Sequence, residues 1–127
     1  PNTIKSIIAE INRQYRKSTS TRRRRESLRM ERNPILVRLL KQLHPDFCQL
    51  CGNNFFWKRG HRKKYSEIHH IEALSMGGVD ATNNCLVLCA NCHRKMHYGD
   101  IMLEDLGYKL LVMEADKKTV PVKKNVF

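Results

Sequence analysis

The sequence predicts an α+β fold, with basic helices first, then a compact strand–strand–helix unit, then a short β-hairpin. Three observations predict it. Apolar residues recur at helical spacing in two early segments, and two short apolar runs, "EIHHI" and "CLVLC", read as strands. Two Cys-x-x-Cys pairs, Cys48/Cys51 and Cys89/Cys92, bracket those strands and would tie their ends together.

Ile4, Ile7, Ile8, Ile11 and Tyr15 form one stripe, so residues 3–16 are expected as an amphipathic helix. The Ser/Thr cluster in "KSTSTRRRRESLRMER" reads as a break, followed by an arginine-rich helix or arm. Asn33 can cap a second helix, Pro34 suits its first turn, and Leu36, Leu39, Leu40 and Leu43 form one face. The "HP" at 44 and 45 should end it.

From Phe47, "FCQLCGNNFFW" reads as a cysteine knuckle leading into a short strand, "KRGHRKK" as a cationic hairpin tip, and "YSEIHHI" as the returning strand. Gly77 and Gly78 mark a turn in the loop "SMGGVDATNN". "CLVLC" is a buried strand and "ANCHRKMHY" a short helix that Gly99 stops. The tail "GYKLLVMEADKKTVPVK" reads as a hairpin whose last strand contains Pro121 and so lies at an edge. The chain divides accordingly into a basic helical segment 1–45, a central domain 46–99 and an extension 100–127.

The net charge of +12 is unevenly placed. Residues 1–64 carry 17 Lys/Arg against 4 Asp/Glu, whereas residues 65–127 carry 7 against 8. Such a basic half suits a polyanion, and nucleic acid is the expected partner. A membrane is not, because no strongly apolar helical face with bulky anchors accompanies the basic run. No run of about 18 apolar residues suggests a span, and no secretory signal is apparent, so a cytoplasmic location is expected. The chain opens with proline rather than methionine, which suggests processing or a longer parent protein.

Five cysteines without a signal peptide argue for metal rather than disulfides. Four thiolates from two short turns supply a tetrahedral zinc site, and the 37 residues between Cys51 and Cys89 leave room for two strands and a loop. Such a closed site is structural. Cys85, the odd one, is expected in the core as a small hydrophobe.

The histidines point to a second metal. His93 and His97, four apart on the short helix, share one face. If His69 packs against that helix, three nitrogens converge and leave coordination positions open. His70 then points to the opposite face of its strand, where an imidazole, which ordinarily titrates near pH ~6.5, can take a proton from water.

At this point "EIHHIEALSMGGVDATNNCLVLCANCHRKMH", residues 67–97, resembles the signature of HNH endonucleases with their ββα-metal core. The flanking "FCQLCG" and "LCANCH" are similar to the zinc-stapled, McrA-like branch of modification-dependent restriction enzymes. The resemblance covers about residues 34–99. It implies that His69, His93 and His97 hold the catalytic divalent metal, that His70 is the general base, and that Asn84 pins the loop and helps orient that base. Cys85 replaces the leucine that usually follows the Asn. The implied reaction is hydrolysis of a DNA phosphodiester, with structural Zn2+ on Cys48, Cys51, Cys89 and Cys92. Mg2+ or Mn2+ is the expected catalytic ion, with Ni2+, Co2+ or Zn2+ as alternatives that imidazole ligands favour.

Arg22, Arg23, Arg24 and Arg25, with Lys58, Arg59, Arg62, Lys63 and Lys64 at the hairpin tip and Arg94 and Lys95 on the last helix, are the expected phosphate contacts. Trp57, Phe55 and Phe56 could stack on bases, but support for the knuckle is the expected role in so small a core. The sequence thus predicts the cleavage module of a restriction-type nuclease acting on double-stranded DNA. A homodimer or a separate recognition domain would complete it, in a bacterial or phage-like setting. The alternative is a zinc-stabilised nucleic-acid-binding module without catalysis.

Overall fold

The computed structural model describes residues 2–17, 33–60, 62–79, 81–116 and 118–127. The arginine run Arg22–Arg25 and the expected break before it lie outside the described residues, as does the side chain of Tyr15.

The fold is α+β. Helix α1 (Asn2–Lys17) places Ile4, Ile8 and Ile11 against Leu36, Leu39 and Leu43 of helix α2 (Pro34–Leu43), with Ile8 fully buried. This i, i+4, i+7 stripe is the reason a polar sixteen-residue segment docks as a helix. Ile7, on the same segment, is largely exposed. Asn33 caps α2 as expected, its Oδ1 accepting from the N–H groups of Ile35 (3.0 Å) and Leu36 (3.4 Å). Leu40 turns from this helix pair into the main core.

The knuckle follows. The Cys48 N–H donates to the Asn53 carbonyl and the Gly52 N–H to the Cys48 carbonyl, closing a tight turn. Gly52 sits at φ +75°, which a residue with a Cβ seldom adopts. Gln49 stitches this turn to the sheet: its N–H donates to the Val87 carbonyl, and its Oε1 accepts from the Val87 N–H. The strand expected at "NNFFW" is reduced to two isolated bridges, Phe47 with Asn54 and Trp57 with Lys64. Positive-φ glycine turns at Gly52 and Gly60 flank this segment.

Strands β1 (Glu67–His70) and β2 (Cys85–Leu88) pair antiparallel, with His69 opposite Leu86 and His70 opposite Cys85. All four residues of β2 are buried. Helix α3 (Ala90–Tyr98) packs across both strands. The connecting loop makes its turn at Gly78, where an added Cβ would fall 1.9 Å from the Glu72 carbonyl oxygen.

The tail forms three antiparallel strands in the order β3 (Ile101–Asp105), β4 (Lys109–Glu114), β5 (Thr119–Lys123). The expected hairpin is β4–β5, and Pro121 lies on the edge strand β5, opposite Leu111. β3 is an addition to the sequence reading. Its side chains are mostly exposed, so it leaves no clear alternation of buried and solvated residues. Leu110, Val112 and Val122 are buried in the same core as Leu40, Ile68 and Leu86. Asn125 locks the C-terminus onto it, donating to the Cys85 carbonyl (2.9 Å) and to Gln49 Oε1 (3.0 Å).

Candidate metal centre

Helix α3 carries residues of both cysteine and histidine clusters. At its start, Cys89 is the N-cap, with its Sγ accepting from the Cys92 N–H at 3.4 Å. The Sγ atoms of Cys48, Cys51, Cys89 and Cys92 all lie within 4.8 Å of one another, and those of Cys51 and Cys89 are 3.9 Å apart. Burial pushes the Cys92 and Cys51 thiols up. Burial also raises Cys48, yet the backbone N–H groups of Cys51, Cys89 and Leu50 outweigh it and hold that thiol below its ordinary range. Four sulfurs from two turns, with backbone donors directed at them, fit a tetrahedral zinc ion.

One turn further along, His93 and His97 face His69. Ligand nitrogens of the three lie within 4.8 Å of one another, and the Nε2 atoms of His93 and His97 are 3.1 Å apart. His69 is 3% exposed, held beneath the two helical imidazoles, while His97 is open to solvent. The ring pairs are edge-on or tilted, with centroids 4.8–5.3 Å apart, so no two rings stack face to face. His70, the next residue along β1, is also buried, at 7% exposed. Strand alternation turns its side chain away from the three.

Glu67 and Tyr65 were missed in the sequence. Glu67 Oε1 accepts from His93 Nδ1 at 2.6 Å, and the Tyr65 hydroxyl donates to Glu67 Oε2. Tyr65 and then His93 hold the Glu67 carboxyl below its ordinary range, so it is a carboxylate. A protonated Nδ1 leaves His93 Nε2 with its lone pair directed at the cluster, the tautomer a metal ligand needs. Phe56 stacks on Tyr65 with centroids 5.2 Å apart, extending the support outward. The signal was available: Tyr65, Glu67 and His69 alternate at i, i+2 and i+4, which puts all three on one face of a strand. Three imidazole nitrogens with one orienting carboxylate and an exposed side fit a divalent metal with open positions.

Asn84 lies at the end of the loop between the strands. Its Oδ1 accepts from the Glu72 N–H (2.9 Å), and its Nδ2 donates to the carbonyls of Glu72 (3.0 Å) and Val79 (2.8 Å). Its own carbonyl accepts from the Ile71 N–H, one residue after His70. One side chain therefore fastens both ends of the loop.

The expected phosphate contacts divide. Arg59, Arg62, Lys63 and Arg94 are exposed, and Lys58 is half-buried. Lys64 is engaged within the fold, bridging Asp46 at 3.0 Å and Asn54 at 3.2 Å. Lys95 pairs with Glu114 of β4 at 2.7 Å, fastening the tail to α3. The aromatic expectation needs correction. Phe55 is buried support as expected, but Phe56 and Trp57 are 64% and 66% exposed, because the shortened ribbon carries them out of the core.

Among the described residues, no helix is long and apolar enough to cross a membrane. Residues 48–99 match the HNH endonuclease family. Over 67 residues the chain is 40% identical to the type IV methyl-directed restriction enzyme EcoKMcrA of Escherichia coli strain K12, a match covering 53% of this chain and 24% of that protein. The solved structure of the modification dependent TagI restriction endonuclease aligns with a TM-score of 0.56 at 29% identity, over 77% of this chain and 33% of that one. The chain thus spans about a quarter of the first relative and a third of the second. The histidine and cysteine clusters both fall inside residues 48–99, the segment that matches the HNH endonuclease model.

Proposed function

We propose that this chain is the cleavage module of a restriction-type endonuclease, hydrolysing phosphodiester bonds of double-stranded DNA. The convergence of His69, His93 and His97 beside a buried His70 on the same strand supports this reading above all else. The three imidazoles would hold one divalent metal, which supplies charge stabilisation at the scissile phosphate. Glu67 keeps His93 in the binding tautomer. His70 takes the proton from the attacking water, and Asn84 keeps the loop that follows it in place. The exposed Arg94, together with Arg59, Arg62 and Lys63, grips flanking phosphates and sets register rather than sequence. Zinc on the four cysteines would hold the start of α3 and the knuckle together. The names of both relatives suggest modified DNA as the substrate, with a recognition domain or partner beyond this chain, in the cytoplasm of a bacterium.

Plasmid nicking by zinc-loaded protein, with Mg2+, Mn2+, Co2+, Ni2+ or Zn2+ added singly, tests this. A general base contributes about 10²–10⁴-fold, so His70→Ala should slow nicking by that factor without releasing metal. Equal cutting by both proteins would sink the assignment of the base. Binding without cleavage of either methylated or unmethylated plasmid would leave a zinc-stabilised nucleic-acid-binding module.

A further inference from the structure

A groove between α2 and the ribbon around Gly60 is not used by the metal centre. Its volume is about 630 Å³. Pro34, Val37, Pro45 and the Trp57 indole supply its apolar surface. Among the described residues, six basic ones line it, Arg38, Lys41, Lys58, Arg62, Lys63 and Lys64, against one acid, Asp46, already paired with Lys64.

Trp57 is the chain's one tryptophan. It bridges Lys64 across the ribbon, and the Lys64 Nζ sits 5.0 Å from the indole centroid. Asp46 and Asn54 anchor that ammonium in turn. The ring is therefore fixed from one side and yet 66% exposed. An indole oriented this way but left in water adds little to the core, where neighbouring Phe55 does that work at 4% exposed. It is placed as a stacking surface.

We infer that this groove takes an unstacked nucleotide of the bound strand, with its base against Trp57 and its flanking phosphates on the ribbon cations. A phosphate alone has no use for an indole and two prolines. A paired duplex keeps its base faces covered and offers this surface only its backbone. An unstacked nucleotide matches both halves of the lining, as in single-strand binding sites that combine an aromatic platform with a cationic track. The volume lies within the roughly 300–1,000 Å³ of pockets that enclose a ligand.

Position supports it too. The Lys41 Nζ donates to the Ser66 carbonyl at 2.8 Å, and Ser66 directly precedes Glu67. Ser66 and His69 are three residues apart, at most about 11 Å, so the groove lies beside the metal centre. The inference rests on the nuclease reading for the identity of its strand.

Zinc-loaded His70→Ala protein, which leaves the strand intact, allows Trp57 fluorescence to be read against three oligonucleotides: single-stranded, duplex with one unpaired base, and fully paired duplex. Anisotropy of labelled DNA measures binding independently. Strong quenching is expected from the first two, and little from the paired duplex at saturation. In the same background, Trp57→Ala should weaken binding of the first two about tenfold or more, with Trp57→Phe restoring most of it. Saturated binding without quenching, or unchanged affinity in Trp57→Ala, overturns the inference. So does equal quenching by the paired duplex, which would mean a grip on the backbone only. Wild-type cleavage is assayed in parallel. Quenching without cleavage removes the nuclease reading and keeps the groove, whereas cleavage without quenching does the reverse.

Discussion

Replacing Glu67 by Gln isolates the charge that orients His93. The side chain keeps its shape and still has an oxygen for Nδ1, so packing is preserved. What changes is the character of the 2.6 Å hydrogen bond, from charge-assisted to neutral. Bonds to charged groups contribute about 1.5–3 kcal/mol and neutral ones about 0.5–1.5 kcal/mol, so roughly 1–1.5 kcal/mol of orientation is lost. At ~1.4 kcal/mol per decade, metal binding should weaken about 5–12-fold. Glu67→Ala, which removes the acceptor altogether, should reach the ~10–100-fold usual for partners of metal ligands. The Glu67 side chain is 25% exposed, which favours the lower end of both ranges. Titration of Co2+ or Mn2+ into zinc-loaded protein by calorimetry gives the affinity directly, and nicking against metal concentration gives the functional counterpart. The apparent metal constant should rise while the rate at saturating metal falls much less. Unchanged affinity in both variants would refute the argument, as would a lost rate with affinity intact.

Cys51→Ser should lower the zinc content of the purified protein and abolish its cooperative melt, since structural zinc contributes about 10–16 kcal/mol to folding. A wild-type melt in that variant would mean the cluster is not a structural site. Asn84→Ala removes three hydrogen bonds and leaves backbone partners at Glu72 and Val79, at a cost of about 1–3 kcal/mol in urea denaturation. An unchanged midpoint would show the loop to be held otherwise. The Glu114 carboxylate raises the Lys95 pKa. The ion pair therefore stabilises fully below the ordinary lysine value of 10.5 and fades as pH rises through the higher folded value. The melting difference between wild type and Lys95→Met should be small at pH 8 and vanish at strongly alkaline pH. A difference that persists there would assign it to packing of the alkyl chain.

The two metal-ligand clusters are legible because their residues sit at short range. Cys-x-x-Cys needs only one turn, the His93/His97 pair only one helical repeat, and the cap at Asn33 three residues. The opposed faces of His69 and His70 followed from the strand period alone. What escaped depended on contacts distant in sequence or on a ladder that never forms. The bond between Glu67 and His93 spans 26 residues, although the alternation that aims Glu67 was in plain sight. Trp57 reads from the sequence as support for the knuckle, and only the breakdown of the ribbon into isolated bridges leaves it exposed. β3 was unreadable for a related reason: an edge strand with both faces mostly solvated has no two-residue hydrophobic rhythm.

Helix α3 is nine residues long, shorter than the ~12–15 that hold together alone in water. It depends on the sheet it packs across and on what clamps its first turn, and its later residues carry two of the three imidazoles. The two ions should therefore load in a fixed sequence, with the sulfur site filling first and the nitrogen site coming into being only afterwards. On the nuclease proposal, zinc supply would then govern when a newly made chain can act on DNA.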